Sequence, residues 1–326
     1  MKSLLNEREL LESGHLGCAG CSDAIGLRLV LKAVGEKAIM VVPSCCATLL
    51  GGIFPHSAIR IPVLHTPFET AAATAAGIRA ALDVQGKEDI TVLAWAGDGG
   101  TFDIGLQSLS SVAERNEDIL YVCYDNEAYM NQGSRSPSGC AVGRGTISTP
   151  VDYPQREQKK NIMEIMAAHA VPYCASACIA YPEDLTAKVK KALSIRGFRF
   201  LHLISPCPPG WKIAQDRTIQ VARLAVESCI FPLYEVEHGE LYTISHRPEP
   251  IRPVKDYLSH QRRFQHLTER QTDQIQRRVL QEWEKLLKRV ECSRDFRWAK
   301  RARFSIAQKK ALSTPRQESV TEDPGH

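Results

Sequence analysis

Two short segments carry residue types suited to holding a cation and a phosphate. Gly97-Asp98-Gly99-Gly100 closes one apolar run, and Asp125-Asn126 closes the next. Oxygen-bearing side chains at neighbouring strand ends suit a hard cation such as Mg2+, which takes oxygen ligands and is usually held by one or two protein groups plus substrate phosphates. The glycines let backbone amides approach a diphosphate closely, and a helix starting there favours its negative charge. Asp98, Asn126 and a backbone carbonyl near Ala128 would complete the protein's share. By itself Gly-Asp-Gly is also an ordinary turn. The asparagine after a second strand is what shifts the reading toward a ligand site.

A second set is built from sulfur. Cys18-Ala19-Gly20-Cys21 supplies a close pair, while Cys46 and Cys207 are isolated, the latter within Ser205-Pro206-Cys207-Pro208-Pro209-Gly210-Trp211. Four thiolates can hold a structural zinc or a 4Fe-4S cluster. A redox disulfide is the weaker reading, because the pair lies in a Gly-rich N-terminal loop without the strand and helix of a thioredoxin-like unit. Zinc usually draws its ligands as two close pairs, so two isolated thiols at strand ends favour a cluster inside the fold. Cys45, Cys123, Cys140, Cys174, Cys178, Cys229 and Cys292 lie mostly in apolar surroundings and read as core packing. Cys45 adjoins a candidate ligand and stays open as an alternative to it. In His65-Thr66-Pro67-Phe68-Glu69, the His or the Glu is expected either to cap the following helix or to contact a cofactor.

Such residues need a scaffold that gathers strand ends. Ile39-Val42, Pro62-His65, Ile90-Ala96, Ile119-Tyr124 and Phe200-Ile204 read as strands; Glu69-Leu82, Ile104-Glu114, Asn161-Ala168, Glu183-Ile195 and Ile219-Cys229 read as helices. The alternation implies an α/β fold, a parallel sheet with helices on both faces. Ligands then sit at the carboxyl ends of strands, in the loops after Ala96, Tyr124 and Ile204. Ser134–Gln158, rich in Gly, Ser, Thr and Pro without periodicity, is expected to be a long ordered or substrate-gated loop. Beyond Pro250 strands cease, and Ile275, Val279, Trp283, Leu286, Leu287 and Val290 recur at helical spacing. The expected division is a main domain over residues 1–270 and a helical, basic C-terminal extension over 271–326. A stripe this narrow is not stable as an isolated helix and should pack on its own domain or on a partner.

With 44% hydrophobic and 24% charged residues, the chain has the composition of a globular protein with a sizeable core. The net charge of +4 belongs to the tail, because from Gln271 onward 13 Lys/Arg face 8 Asp/Glu. No segment approaches the roughly 20 apolar residues of a membrane span, and the charged N-terminus has no signal-peptide core. A cytoplasmic protein without a membrane partner is expected. In a reducing cytosol eleven cysteines are not a disulfide framework.

Gly14-His15-Leu16-Gly17-Cys18-Ala19-Gly20-Cys21, Pro43-Ser44-Cys45-Cys46, Phe68-Glu69-Thr70-Ala71-Ala72-Ala73-Thr74-Ala75-Ala76-Gly77, Gly97-Asp98-Gly99-Gly100-Thr101-Phe102-Asp103-Ile104-Gly105, Tyr124-Asp125-Asn126-Glu127-Ala128-Tyr129-Met130-Asn131 and Pro206-Cys207-Pro208-Pro209-Gly210-Trp211 stand in one order. Together they resemble the β subunit of pyruvate:ferredoxin oxidoreductase, a 2-oxoacid:ferredoxin oxidoreductase, over about residues 10 to 270. The resemblance implies a thiamine-diphosphate-binding fold with a 4Fe-4S cluster beside the cofactor. It implies Cys18, Cys21, Cys46 and Cys207 as cluster ligands. It implies Asp98, Asn126 and the Ala128 carbonyl as ligands of the Mg2+ that anchors the diphosphate, with Gly97, Gly99, Gly100 and Glu69 on the cofactor side. Asn131 is implied as the catalytic residue facing the reacting carbon.

In this family the glutamate that activates the cofactor comes from a partner α subunit, so Glu69 is not that base and this chain alone should not turn over. Gamma and ferredoxin-like delta subunits, or their equivalents, are the further partners implied. The implied reaction is oxidative decarboxylation of pyruvate, with coenzyme A accepting the acyl group and electrons leaving singly through the cluster to ferredoxin. The cofactor supplies the carbanion chemistry; the protein supplies position, Mg2+ and an electron exit. Ser22-Asp23 stands where the family usually has Gly, and Gln132-Gly133-Ser134-Arg135-Ser136 differs from a commoner Thr-Gly-rich segment near the substrate. The 2-oxoacid is therefore open among pyruvate, 2-oxoglutarate, a branched-chain oxoacid and oxalate.

Two rival readings use fewer of these residues. A thiamine-dependent decarboxylase without electron transfer would keep Asp98 and Asn126 but not need the cysteines. A zinc-containing nucleic-acid-binding protein would use Arg294, Arg297, Lys300, Arg301 and Arg303 as its basic stripe, yet no recognition motif accompanies them. No nucleic-acid partner is expected. The basic tail is expected instead to dock an acidic ferredoxin-like partner.

Overall fold

The computed structural model describes residues 8–52, 55–128 and 159–313, with the helical backbone alone for 294–313. The order is α1 (Ser22–Val34), β1 (Ala38–Pro43), α2 (Cys46–Gly51), β2 (Val63–Thr66), α3 (Ala71–Val84), β3 (Thr91–Gly97), a π-helical turn (Gly99–Ile104), α4 (Leu106–Glu114) and β4 (Leu120–Asp125). It continues with α5 (Ile162–Ala168), β5 (Tyr173–Cys178), α6 (Pro182–Leu193), β6 (Arg199–Ile204), α7 (Pro208–Trp211), α8 (Thr218–Glu227), β7 (Leu233–Glu237), β8 (Leu241–His246), α9 (Val254–Ser259) and α10 (Glu269–Ser313).

The sheet order is β2-β1-β3-β4-β6-β5-β7-β8. Strands β4, β5 and β6 are buried at every residue, as strands covered on both faces must be. Alternate residues serve opposite layers: Leu93 and Trp95 of β3 join one core cluster, Ala94 and Ala96 the other. On the first side α1, α6 and α8 contribute Leu27, Val189 and Val221; on the second α3, α4 and α5 contribute Ala75, Leu109 and Met166.

After β1 the chain runs outward to the edge strand β2, then returns to place β3 on the other flank of β1. The connections after β1 and β3 thus leave in opposite directions, and a crevice opens between their carboxyl ends. The residues after β1 begin with Ser44-Cys45-Cys46, and those after β3 begin with Asp98.

The sheet is not wholly parallel. β7 runs antiparallel to β5, and β8 antiparallel to β7, joined through His238 and Gly239 at φ 52° and 70°. Strand β5 reads Tyr-Cys-Ala-Ser-Ala-Cys, with no β-branched residue, and takes its form from burial between β6 and β7 rather than from local propensity.

Helix α10 packs on its own domain. Trp283, Leu286 and Val290 are buried in the same cluster as α4 and α5. Ser293 Oγ donates to the Glu240 carbonyl at 2.9 Å and accepts from the Tyr242 amide at 2.9 Å, which pins the helix to the β7–β8 hairpin. Among the described residues no helix is long and apolar enough to cross a membrane.

Candidate functional site

Strand β3 ends at Gly97, which pairs with Tyr124 of β4, so Asp98 and Asn126 emerge from adjacent strands. Both are buried, at 1% and 6% exposure. The Asn126 Oδ1 accepts the Ala128 amide at 2.9 Å, and Glu127 between them has a φ of 55°. This tight turn brings the Asn126 amide and the Ala128 backbone to the end of β4. Beside it, Thr101 Oγ donates to the Gly97 carbonyl at 2.7 Å and fixes the π-helical turn that starts at Gly99. A side chain at Gly100 would stand 3.2 Å from the Phe68 carbonyl, and one at Gly105 would strike the Gly100 carbonyl. These glycines permit a close backbone approach that larger residues would block.

An ion network underlies the turn. Lys159 pairs with Asp125 and, at 3.2 Å, with Glu127; His202 Nε2 lies 2.8 Å from Asp125 Oδ2. Burial alone would raise the Asp125 carboxyl, but Lys159 and His202 outweigh it and hold the group below the usual carboxylate range. Burial likewise opposes the charge on Lys159, and Asp125 and Glu127 more than restore it. His202 is pushed down by burial, with Asp125 opposing, and stays neutral. A cavity of about 480 Å³ adjoins this network, with Glu127, Lys159, His202, Phe231 and Tyr257 in its wall.

The cysteine loops meet across the same end of the sheet. Ser22 Oγ lies 2.7 Å from Ser205 Oγ and donates to the Pro206 carbonyl at 2.7 Å, while Thr218 Oγ donates to the Gly20 carbonyl at 2.7 Å. Gly20 has a φ of 71°, and a Cβ there would lie 2.1 Å from the Gln215 carbonyl. The Cys18–Cys21 loop is thereby seated on the segment that carries Cys207. Cys46 opens α2, and its amide donates to the Tyr124 hydroxyl at 2.9 Å.

The Cys21 thiol is pushed up to about 12, chiefly by burial, with Asp23 and Cys207 adding to it. Cys46 is raised further, by burial and by Asp23, Cys207, Cys45 and Cys21. Cys21, Cys46 and Cys207 therefore lie within electrostatic reach of one another, and Cys18 stands exposed at the rim. Among the described residues no three His, Cys, Asp or Glu side chains are gathered tightly enough to share one metal ion. Cys45, 8% exposed, is the N-cap residue of α2, and its amide donates to Thr48 Oγ1 at 3.4 Å. Cys123, Cys174, Cys178 and Cys229 are buried in the core, as expected for packing cysteines, whereas Cys292 is exposed.

Glu69 is exposed, two residues before α3, and its backbone carbonyl accepts Ser108 Oγ at 3.0 Å; the N-cap of that helix is Thr70, without a side-chain cap. His65 is exposed at the end of β2. Asn131, Cys140 and the Ser134–Gln158 loop lie outside the described residues. Sequence reasoning passed over Tyr124, Lys159, His202 and Arg263. Tyr124 opens one of the quoted motifs and could have been given a role, but nothing local marks Arg263 as a neighbour of Glu127.

Residues 46–203 match the family described as thiamine pyrophosphate enzyme, C-terminal TPP binding domain. The chain is 46% identical over 290 residues to ketoisovalerate oxidoreductase subunit VorB of Pyrococcus abyssi, covering 86% of this chain and 93% of that protein. It is 46% identical over 281 residues to pyruvate synthase subunit PorB of Methanocaldococcus jannaschii, covering 83% and 94%. The chain is a β subunit of the 2-oxoacid:ferredoxin oxidoreductase family. PorB of Thermotoga maritima is 39% identical over 303 residues, covering 87% of this chain and 93% of that one. A solved 2-oxoglutarate:ferredoxin oxidoreductase from Magnetococcus marinus shares the fold, with a TM-score of 0.55 over 68% of this chain and 81% of that one, at 21% identity. Membership in the oxidoreductase family gives the thiamine-diphosphate-binding α/β fold its function, an oxidoreductase acting on 2-oxoacids.

Proposed function

We propose that this β subunit binds thiamine diphosphate through Mg2+ at Asp98, Asn126 and the Ala128 carbonyl, holds a 4Fe-4S cluster at Cys18, Cys21, Cys46 and Cys207, and acts on pyruvate. The observation that carries this reading is the crevice between β1 and β3, which sets the Cys46 loop beside Asp98 at one end of the sheet.

The donor chemistry fits both groups. Asp98, Asn126 and a backbone carbonyl are hard oxygen donors beside glycines that leave room for a diphosphate, the set that Mg2+ takes. Cys21, Cys46 and Cys207 influence one another electrostatically. One close pair along the chain plus two isolated thiols suits a four-iron cluster, whose iron atoms are each bound by a different cysteine, better than a single zinc.

Thiamine diphosphate, when bound, supplies the carbanion chemistry on the 2-oxo carbon. This chain's residues position it. Asp98 and the Asn126 turn place the diphosphate, Gly97, Gly99 and Gly100 admit it, and Glu69 borders it. Asn131 orients the reacting end. The neutral His202 and the Lys159–Asp125 pair hold the strand end that presents Asn126. The thiol loops set the electron exit within the same chain, while coenzyme A accepts the acyl group. Activation of the cofactor requires a glutamate from an α subunit, so the chain works in the cytoplasm within a complex that includes γ and ferredoxin-like δ subunits or their equivalents, delivering electrons to ferredoxin.

The test is anaerobic co-purification with the neighbouring subunits, followed by a panel of 2-oxoacids with an artificial electron acceptor. Pyruvate should give the highest kcat/KM, and about four iron atoms per β subunit should be present. One zinc and no iron would overturn the cluster. A branched-chain oxoacid is the second reading, favoured by the 46% identity to ketoisovalerate oxidoreductase subunits.

A further inference from the structure

Beneath the Asn126 turn lies a buried arrangement that cofactor and cluster binding do not by themselves require. The Glu127 carboxylate pairs with Arg263 Nη2 at 2.8 Å, with side chains 8% and 2% exposed. The Arg263 guanidinium lies over the Trp211 indole, 3.7 Å from the ring centroid. Trp211 Nε1 donates to the Asn126 carbonyl at 2.7 Å. Its backbone amide donates to the Cys207 carbonyl at 2.7 Å. The contacts close a ring from Asn126 through Glu127, Arg263 and Trp211 back to Asn126. Trp211 is also the last residue of α7, the one-turn helix whose N-cap is Cys207.

Stability alone does not account for this ring. A buried ion pair loses so much hydration that well-packed apolar residues of the same volume are often as stable or more so. What the pair supplies instead is geometry. A planar guanidinium can bond a carboxylate in its plane while stacking on an aromatic face, which an ammonium cannot do in the same way. The 3₁₀ turn Arg262–Phe264 that carries Arg263 rests against α7, with the Arg262 amide 3.5 Å from the Lys212 carbonyl. The outer strut is thus anchored on the segment it braces.

We propose that Arg263, Glu127 and Trp211 form a positioning clamp that locks the Asn126–Ala128 turn and the Cys207 helix at one separation, so that the diphosphate anchor and the electron exit are held as one piece. The proposal rests on the cofactor and cluster sites given above. The three residues act through Asn126 and Cys207 and are positioning residues. A one-electron step between two centres depends steeply on their distance, and a rigid covalent and hydrogen-bonded path of this kind sets that distance without a moving loop.

The experiment uses the assembled, anaerobically purified complex and reads thiamine diphosphate affinity in the presence of Mg2+, iron content, and the EPR signal of the reduced cluster with and without thiamine diphosphate. Arg263→Met and Glu127→Gln should each weaken cofactor affinity by about 10- to 100-fold, as loss of a partner behind a ligand does, with iron content unchanged. The double variant should lose less than the sum of the two single losses, because the two residues act through one shared contact. Thiamine diphosphate is expected to shift the EPR signal of the wild-type complex, and Trp211→Phe, which keeps a ring but loses the N–H, should reduce that shift. Affinities within about twofold of wild type, or additive losses in the double variant, overturn the clamp. So does an EPR shift in Trp211→Phe equal to that of wild type. If Arg263→Met does not assemble, Arg263→Lys, which keeps the charge and loses the planar stack, is held to the same affinity criterion. A wild-type complex that binds no thiamine diphosphate would overturn the functional reading itself, and the clamp with it.

Discussion

The backbone amide of Cys46 donates to the hydroxyl of Tyr124 at 2.9 Å, which ties the start of α2 to the residue just before Asp125-Asn126. Tyr124 also stacks on Trp95, with centroids 5.9 Å apart, and Trp95 Nε1 donates to Asp23 at 2.9 Å. One buried phenol thus joins a proposed cluster ligand to the strand that presents a proposed Mg2+ ligand. Tyr124→Phe should leave the Cys46 N–H without its acceptor and cost about 1–3 kcal/mol. Chemical denaturation should register this loss, and iron should leave the variant faster than wild type in the presence of a chelator. An unchanged midpoint with unchanged iron release would mean that water replaces the phenol at no cost.

Replacing a thiol proposed as a cluster ligand should differ from replacing one that is not. Cys207→Ser should lose or destabilise the cluster, seen as loss of iron and of the broad absorbance near about 400 nm. Cys292→Ser, at an exposed position on α10, should leave both unchanged. Equal effects from the two would show that the ligand set is misassigned.

Asp98 is buried at the end of β3, beside the glycines proposed to admit the diphosphate. Asp98→Ala should abolish thiamine diphosphate retention, because the Mg2+ proposed to carry the diphosphate's charge would lose its carboxylate ligand. Cluster content should stay near that of wild type. Full cofactor occupancy in this variant at micromolar concentration would reduce Gly97-Asp98-Gly99 to a turn.

The buried His202 gives a pH window. Its folded pKa lies below the ordinary 6.5, chiefly through burial, so the unfolded chain takes up the proton first as pH falls. Stability should therefore be full above that value and decline as the pH drops through it toward the folded pKa. Asp125, held below the usual carboxylate range, adds its own loss only at lower pH. The melting temperature should fall between about pH 7 and pH 5, and His202→Gln should flatten that slope while keeping a donor for Asp125. A slope identical in the variant would place the effect elsewhere.

Trp283, Leu286 and Val290 are buried against the domain, so the first part of α10 belongs to the fold. Trp283→Ala should cost about 3–5 kcal/mol by leaving a cavity, measurable by denaturant unfolding. Ending the chain after Ser293 removes much of the excess positive charge but none of these side chains. That truncation should preserve stability, cofactor and iron while slowing ferredoxin reduction at low salt. Unchanged ferredoxin kinetics would reject a docking role for the basic tail.

The amino-acid sequence by itself determined which segments could bear ligands and which elements flank them. Gly97-Asp98-Gly99-Gly100 and Asp125-Asn126 each follow an apolar run, and Cys18, Cys21, Cys46 and Cys207 sit beside glycines, prolines or strand ends, so local pattern alone was enough to nominate them. The amphipathic stripe of α10 was equally legible, because helical spacing is a property of neighbours along the chain. The tertiary structure decided what those neighbours meet. It placed β3 beside β1, so that Asp98 and the Cys46 loop follow adjacent strand ends, and it made β5 a strand although it has no β-branched residue. It also put Arg263 on Trp211 and Glu127, and folded α10 back onto the β7–β8 hairpin. Periodicity and turn chemistry act over a few residues, whereas strand order and the pairing of distant side chains follow from burying two faces of one sheet at once, a condition that no short segment carries.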